Sequence, residues 1–306
     1  MEIKSAAIIG AGAIGCYFIS GLRESLGEHF YVLAEGERYD RLKEHGIAIN
    51  NERIALNVRH PEEVRGVDLI IVAVKYGALP EAISMVEKAV GDNTIVLCPM
   101  NGVDCEERIA EAIGSERIID SMIKIQSLRI GDKISFDPDI TAGIYLGERD
   151  GSVSERVQAL AELFEESKIN YHLCEDIIRT IWFKYALNIS KNLPQAIINC
   201  GYGGYVASEH MMYISDMMRA EVAAVARAKG IDITDRSDAT GRSIPVPPDS
   251  RYSTLQDLDA KRPTEIDMFS GALCRMGKEY GIPTPFNDFA FHAIKALEEK
   301  NRGLFS

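Results

Sequence analysis

The segment Ser5-Ala6-Ala7-Ile8-Ile9-Gly10-Ala11-Gly12-Ala13-Ile14-Gly15 decides the fold of the first part of the chain. Its first half is an apolar run typical of a buried strand, and a helical pattern follows it, which is the context that a G-x-G-x-x-G motif requires. There Gly10 makes the tight turn, Gly12 lets the backbone approach a pyrophosphate, and Gly15 lets the helix pack closely against the strand. The open amides and the dipole of the helix N-terminus stabilise phosphate charge. A glycine-rich turn without a ligand is the alternative. The segment predicts a dinucleotide site formed by Gly10, Ala11, Gly12, Ala13, Ile14 and Gly15.

Apolar runs alternate with helical segments through the first half of the chain. A second strand is predicted at His29–Ala34. Val67–Val74 and Thr94–Cys98 are typical of strands buried on both faces of a parallel sheet, with a helix over Leu79–Ala89 between them. Shorter strand-like pieces between about residues 118 and 147 are interpreted as a partly antiparallel extension of the same sheet. This rhythm predicts an α/β fold with a Rossmann-type, doubly wound N-terminal domain.

The second half of the chain has helical periodicity from about Ser154 onward. We therefore expect a dinucleotide-binding domain over residues 1–172 and an all-helical domain over residues 173–306. The predicted helices are Ser154–Ser167, Glu175–Ile189, Glu209–Lys229, Thr264–Tyr280 and Asn287–Lys300.

Bulk composition narrows the classes of function. The formal net charge is -12, which argues against binding to nucleic acid or to an anionic membrane surface. No apolar run approaches the roughly 18 residues of a membrane span, and the opening segment has no basic region or cleavage site of a secretory signal. Six scattered cysteines suit reduced thiols in a cytoplasm, and six histidines show no metal-binding spacing. We expect a cytoplasmic protein without a metal site.

Polar residues follow three of the predicted strands, where ligands of such sheets bind. Glu35 lies about 20 residues after Gly15, where a carboxylate would accept hydrogen bonds from the adenosine ribose and repel a 2′-phosphate. It therefore favours NADH, although a solvated loop residue is the alternative and Arg38 could reach a phosphate if Glu35 turned away. Lys75 and Asn101 follow the next two strands and are candidate cofactor contacts, or an ordinary strand end and turn.

One helix of the second half carries an unusual ladder of polar residues. The sequence Ile181-Trp182-Phe183-Lys184-Tyr185-Ala186-Leu187-Asn188-Ile189 is apolar on nearly all sides, so the helix should be largely buried. Lys184, Asn188 and Asn192 are spaced at i, i+4 and i+8 and share one face. Lys184 either reaches solvent or a structural carboxylate, or it polarises the carbonyl of a bound oxyacid that the two amides orient.

Several motifs, in order along the chain, resemble the ketopantoate reductase (2-dehydropantoate 2-reductase) family. The resemblance covers nearly the whole chain, and its most specific part is the block in the second half. The motifs are the glycine segment, Val74-Lys75, Asn101-Gly102, Lys184 with Asn188 and Asn192, Ser253-Thr254-Leu255-Gln256-Asp257, Arg262-Pro263-Thr264-Glu265-Ile266-Asp267 and Gly281-Ile282-Pro283-Thr284-Pro285.

The resemblance implies hydride transfer from a nicotinamide to C2 of 2-dehydropantoate, giving (R)-pantoate, a step of pantothenate biosynthesis. Lys184 matches the catalytic lysine, which hydrogen-bonds the ketone oxygen, stabilises the forming alkoxide and supplies a proton. Glu265 matches an acid that orients the lysine and the cofactor ribose, so it counts both as a catalytic and as a cofactor-binding residue.

The remaining matched positions are substrate and cofactor contacts. Asn188, Asn192 and Ser253 match residues that hold the substrate hydroxyl and carboxylate. Asn101 matches a residue that touches both cofactor and substrate, and Lys75 a cofactor contact.

The chain departs from the family pattern at two places. Members that use NADPH typically carry arginine where this chain has Glu35, so either NADH or NADPH fits the family, and Glu35 favours NADH. The segment around Tyr202 and Tyr205 lacks an asparagine found near the substrate in some members. These tyrosines either reshape the pocket for another acid or only pack.

Two alternatives therefore stay open. One is a reductase of the same fold acting on another 2-oxo or 3-oxo acid, and the other is a non-enzymatic dinucleotide sensor or scaffold. The Met-rich helix Glu209–Lys229 fits either a homodimer face or ordinary core.

Overall fold

The computed structural model describes residues 1–125, 127–130, 133–235 and 246–306. It contains two compact units, Met1–Ile177 and Ile178–Ser306. The strand Tyr171–Leu173 pairs with the sheet of the first unit, so the chain leaves that unit only where a long helix begins at Ile177.

The first unit is built on an eight-stranded sheet, confirming the predicted Rossmann-type α/β fold. Its strand order is β12-β11-β8-β7-β6-β1-β2-β5, and the neighbouring strands from β8 to β5 are all parallel. The strands of the unit are β1 (Ala6–Ile9), β2 (Phe30–Leu33), β3 (Ile47–Ile49), β4 (Glu52–Ile54), β5 (Val58–Arg59), β6 (Leu69–Val72), β7 (Ile95–Leu97), β8 (Ile118–Lys124), β9 (Ser127–Ile130), β10 (Lys133–Phe136), β11 (Gly143–Gly147) and β12 (Tyr171–Leu173).

Among the described residues of this unit, five α-helices connect the strands. They are α1 (Ala13–Leu26), α2 (Gly36–His45), α3 (Leu79–Ala89), α4 (Cys105–Ile113) and α5 (Glu155–Glu166). The central strands β1 and β6 are buried along their whole length, as their continuous apolar sequences predict. The strand order reverses at β1, so loops that leave β7, β6, β1 and β2 emerge along one edge of the sheet on both sides of this point.

The region between residues 118 and 147 is only partly the predicted extension of the sheet. β8 and β11 do extend it and pair antiparallel. The strands β9 and β10 instead pair antiparallel with each other and belong, with β3 and β4, to a separate four-stranded sheet, through parallel pairing of β10 with β3. Short strands with no long buried run give no local signal of which sheet they join, because the pairing partner decides it.

The elements of the second unit are all helices within the part of the chain that the structure describes. They are α6 (Ile177–Ile198), α7 (Gly204–Ala207), α8 (Glu209–Ala228), α9 (Ser253–Asp259), a π-helical turn (Asp267–Gly271), α10 (Ala272–Tyr280) and α11 (Pro285–Asn301).

Two helices of this unit differ from the sequence prediction. α6 continues to Ile198, well past the predicted end at Ile189, even though Pro194 lies inside it. Proline removes one helical hydrogen bond, at a cost of about 3 kcal/mol. Leu193 and Gln195 on either side of the proline are fully buried, and burial of a helix face contributes stability that opposes such a cost. The helix predicted from Thr264 begins later, because a π-helical turn precedes α10.

A buried acid lies at the start of α4, the helix that follows Asn101. Glu106, in the first turn of α4, is buried, as is Asp120 of β8. The guanidinium of Arg149 donates to Asp120 from Nε at 3.1 Å and from a terminal nitrogen at 3.0 Å. Burial raises the pKa of Glu106 to about 8, the charge of Asp120 acts in the same direction, and Arg149 opposes it.

We expect this acid to make the stability of the first unit depend on pH. Because the pKa of Glu106 is raised on folding, its contribution is full below about pH 4.5 and is lost as the pH rises to about 8. The free energy of unfolding should fall over this range by at most roughly 4–5 kcal/mol from this group. Urea unfolding of wild type and Glu106→Gln at about pH 5 and about pH 8.5 measures it. The variant should lose less stability, and parallel losses in both proteins would contradict the assignment.

Candidate functional site

The glycine segment forms the turn from β1 into α1. Gly10 has a φ of +107°, a backbone angle that residues other than glycine rarely adopt. A Cβ there would lie 2.3 Å from the carbonyl oxygen of Ala73. A Cβ on Gly15 would lie 2.0 Å from the carbonyl oxygen of Gly10. Gly10 therefore lies against the backbone just after the sixth strand, and Gly15 of α1 lies against the backbone of Gly10, with a closeness that only glycine permits at these two positions.

The middle glycine of the motif is different, because the space beside it is open. Gly12 is the residue before α1, and no described heavy atom lies within 4 Å of the place where its Cβ would be. The first turn of α1, Ala13-Ile14-Gly15-Cys16, is uncharged, so its amides and dipole are not neutralised by an acid of that turn. An open backbone cradle at a helix N-terminus fits a dinucleotide pyrophosphate.

Glu35 follows β2 and is the residue before α2. Its Oε1 accepts a hydrogen bond of 2.6 Å from Nζ of Lys88 on α3, and the same ammonium lies 3.3 Å from Oε1 of Glu62. These two carboxylates raise the pKa of Lys88, and the pKa of Glu62 is lowered by its own backbone hydrogen bond and by Lys88. Two carboxylates share one ammonium here, so the group carries a net negative charge.

Lys75 and Asn101 lie in the loops that follow β6 and β7. Lys75 is exposed and precedes a 3₁₀ turn at Tyr76–Ala78. The hydroxyl of Tyr76 donates to Oδ2 of Asp104 at 2.5 Å, which ties the two loops together. The carbonyl oxygen of Asn101 accepts a hydrogen bond of 3.6 Å from the thiol of Cys105, the first residue of α4. The structure therefore brings together the loops that carry these two predicted residues.

The polar ladder of the second unit lies on α6. Lys184 and Asn188 are half-buried and Asn192 is buried, on a helix whose other residues are mostly buried, as predicted. Nδ2 of Asn192 donates to Oγ of Ser253, the first residue of α9, at 3.4 Å. Two residues that the sequence assigns to the substrate, far apart along the chain, are therefore in contact.

The segment that carries Glu265 is attached to the same helix. The hydroxyl of Tyr185, next to Lys184, donates to the carbonyl oxygens of Met268 at 3.1 Å and Phe269 at 2.6 Å in the π-helical turn. Such turns leave backbone carbonyls with irregular partners and are frequent at functional sites. Tyr185 thus fixes the turn that begins two residues after Glu265.

The other side of the Glu265 segment is held by an acid of α11. Oε1 of Glu298 accepts from the backbone nitrogen of Thr264 at 2.6 Å and from its hydroxyl at 2.7 Å. The carbonyl of Glu265 itself accepts from the backbone nitrogens of Met268 and Phe269. The position of Glu265 in the second unit is therefore set from both sides.

Three tyrosines cluster beside Ser253. Tyr202 makes an edge-to-face contact with Tyr252, with ring centroids 6.0 Å apart, and lies 5.8 Å from Tyr205. Tyr205 is buried and its hydroxyl donates to the carbonyl of Lys191. Burial and the neighbouring Tyr202 raise the pKa of Tyr252 to about 12. This corner of the second unit is aromatic, with Tyr205 buried and Tyr202 and Tyr252 half-buried.

Three residues that contact these sites were not predicted from the sequence: Lys88, Tyr185 and Gln195, whose side chain bonds the backbone of Ser250 and Tyr252 just before Ser253. Gln195 could have been found, because it continues the ladder one turn after Asn192. Lys88 and Tyr185 act on residues distant in the sequence, and no local pattern marks them.

The described ranges contain neither a candidate metal cluster nor a helix that could span a membrane. Within them no group of three or more His, Cys, Asp or Glu side chains could hold a metal ion. Over residues 1–125, 127–130, 133–235 and 246–306, no helix is both long and apolar enough to cross a membrane.

Comparison with known proteins covers both units. The sequence profile described as "Ketopantoate reductase PanE/ApbA" matches residues 6–151, and "Ketopantoate reductase PanE/ApbA C terminal" matches residues 176–298. The 2-dehydropantoate 2-reductase of Aquifex aeolicus (strain VF5) is 27% identical over 302 residues, which are 95% of this chain and 96% of the relative.

Two solved structures are similar over nearly the whole chain. A D-mandelate dehydrogenase with NADH and anilino(oxo)acetate has a TM-score of 0.83 at 25% identity, covering 97% of this chain and 99% of that one. A PanE/ApbA family ketopantoate reductase from Ralstonia eutropha JMP134 has a TM-score of 0.80 at 24% identity, again covering 97% and 99%. The protein therefore belongs to the ketopantoate reductase family, which is a family of NAD(P)H-dependent oxidoreductases.

Proposed function

We propose that the protein reduces the ketone of 2-dehydropantoate to the C2 hydroxyl of (R)-pantoate. The observation that carries the proposal is the contact of Asn192 with Ser253, on the helix that also carries Lys184. A cation and two amides along one helix, with a hydroxyl beside them, suit an acid that bears a carboxylate and a hydroxyl next to a ketone. The family relatives named 2-dehydropantoate 2-reductase support this choice of acid.

Each residue then has a defined task. The bound nicotinamide would supply the hydride that the ketone carbon accepts. The ammonium of Lys184 would donate a hydrogen bond to the ketone oxygen and a proton to the alkoxide. Asn188, Asn192 and Ser253 would hold the hydroxyl and the carboxylate, and Glu265 would orient the lysine.

The dinucleotide would be held mainly by residues of the first unit. Gly10 to Gly15 would receive the pyrophosphate, Glu35 the adenosine ribose, and Lys75 and Asn101 would be further contacts. Asn101 would also touch the acid, and Glu265 the second ribose.

We predict a preference for NADH over NADPH, because Glu35, Lys88 and Glu62 together carry a net negative charge where a 2′-phosphate would lie. The ratio of kcat/KM for NADH to that for NADPH should be about tenfold or more, and Glu35→Gln should reduce it. Glu37→Gln, an exposed acid of the same helix, is the matched control. A clear NADPH preference of the wild type, or an equal effect of both variants, would refute the assignment.

A second candidate is a reductase of another 2-oxo or 3-oxo acid, and the tyrosine cluster favours an aromatic one. Tyr202, Tyr205 and Tyr252 provide aromatic surface next to Ser253. The similar structure of D-mandelate dehydrogenase, with NADH and anilino(oxo)acetate, is in keeping with this candidate.

Steady-state kinetics with both acids and both reduced cofactors separates the two. A higher kcat/KM for 2-dehydropantoate than for phenylglyoxylate, the ketone of mandelate, supports the proposal. The reverse order replaces it by the aromatic alternative, and no oxidation of cofactor with either acid rejects both.

Two further expectations accompany the proposal. Met211 and Met218 of α8 are buried, whereas Tyr213 between them is exposed, so α8 serves the core and leaves a face for a homodimer, which light scattering would detect. All six cysteines are free thiols, which favours the reducing cytoplasm.

A further inference from the structure

The inference concerns Gln195, a fully buried glutamine of α6 with no task in the proposed reaction. Its exposed fraction is 0%. Nε2 donates to the carbonyl oxygen of Ser250 at 3.0 Å, and Oε1 accepts from the backbone nitrogen of Tyr252 at 2.6 Å. One carboxamide thus binds the backbone of residues 250–252 at both ends, through its donor and its acceptor.

The clamped segment leads directly to a predicted substrate residue. Ser253 follows Tyr252 and is the first residue of α9. Its hydroxyl is held by Asn192, three residues before Gln195 on α6. Two side-chain amides about one turn apart on the same helix therefore act on this segment, Gln195 on the backbone and Asn192 on the hydroxyl.

Few side chains other than glutamine can make this pair of contacts. A glutamate would place a carboxylate against the carbonyl of Ser250, and a methionine of similar length has no donor and only a weakly accepting sulfur. Burying a carboxamide is unfavourable unless its polar atoms are bonded, and here both are. These two hydrogen bonds fix the backbone immediately before Ser253.

We propose that Gln195 is a positioning residue for the 2-oxo acid, which it serves by holding Ser253 at hydrogen-bond distance from Asn192. This inference rests on the proposed function, because it takes Ser253 as a substrate contact. Binding geometry is sensitive to small displacements. Loss of the two Gln195 hydrogen bonds therefore lowers the affinity for the 2-oxo acid and leaves the affinity for the dinucleotide unchanged.

The test compares Gln195→Met, which removes both contacts at similar volume, with Gln195→Asn, which keeps the amide but shortens its reach. Calorimetry on cofactor-saturated protein measures the affinity for 2-dehydropantoate and phenylglyoxylate independently of turnover. Both variants should bind the better of the two acids about tenfold more weakly, with unchanged cofactor affinity. Asn301→Ala, which removes another side-chain hydrogen bond to the end of α9, is the matched control and should leave acid affinity unchanged.

A double-mutant cycle with Ser253→Ala separates positioning from structural support. If Gln195 acts through Ser253, adding Gln195→Met to Ser253→Ala should change acid affinity little. A full additional loss there, a lowered melting temperature with unchanged acid affinity, or failure of both Gln195 variants to fold would overturn the inference. Wild type that binds an acid without turning it over defeats the proposed function alone, and wild type that binds neither acid defeats both.

Discussion

Replacing Lys184 with alanine should lower kcat by roughly 10²–10⁴-fold and leave NADH affinity nearly intact, the usual scale for loss of a proton donor. The predicted dinucleotide contacts lie mainly in the first unit, whereas Lys184 lies on α6 of the second. Removing the ammonium takes a hydrogen bond and a positive charge from the forming alkoxide, where they act most strongly. Stopped-flow and steady-state assays give kcat, and calorimetry gives the cofactor affinity.

The matched control for this experiment is Lys191→Ala. Lys191 belongs to the same helix, so its replacement shows the effect of removing a lysine from α6. Its ammonium lies 4.3 Å from the ring centroid of Tyr205. The control should retain kcat within a small factor. Unchanged turnover of the Lys184 variant would remove this lysine from the mechanism.

Two alanine substitutions in the glycine segment should have different effects, one on dinucleotide affinity and the other on stability. Gly12→Ala should retain the melting temperature, because its Cβ meets open space among the described residues. It should lower the affinity for the dinucleotide by about 10–100-fold. Gly15→Ala should lower the free energy of unfolding by about 1–3 kcal/mol, because its Cβ would lie 2.0 Å from the carbonyl oxygen of Gly10. Calorimetry with NADH and thermal unfolding measure the two effects.

Each variant is the control for the other. Both add one methyl group within the same turn, so a difference between them reflects what that methyl group meets. If Gly12→Ala binds NADH as tightly as wild type, the cradle does not hold the pyrophosphate.

The sequence is sufficient to predict a structural feature or a site where that feature depends on residues close together in the chain. The glycine segment has its strand, its turn and its helix within a few residues, and the spacing of Lys184, Asn188 and Asn192 determines their common face. The fold class and the burial of α6 were predicted for this reason.

Contacts between distant segments were beyond such reasoning. Whether β9 and β10 join the main sheet depends on the pairing of β10 with β3, a strand far earlier in the chain. The pairing of Lys88 with Glu35 joins α3 to the loop after β2. Its two partners are ordinary surface residues when they are considered separately.

The central claim is that a reduced nicotinamide delivers its hydride to C2 of a 2-oxo acid bound by this protein. NADH labelled with deuterium at C4 of the nicotinamide, in each of its two stereochemical forms, tests it with 2-dehydropantoate and with phenylglyoxylate. Mass spectrometry and NMR of the hydroxy acid should show deuterium on C2 with one form of the label. Product without deuterium from either form, or no hydroxy acid at all, would contradict the claim.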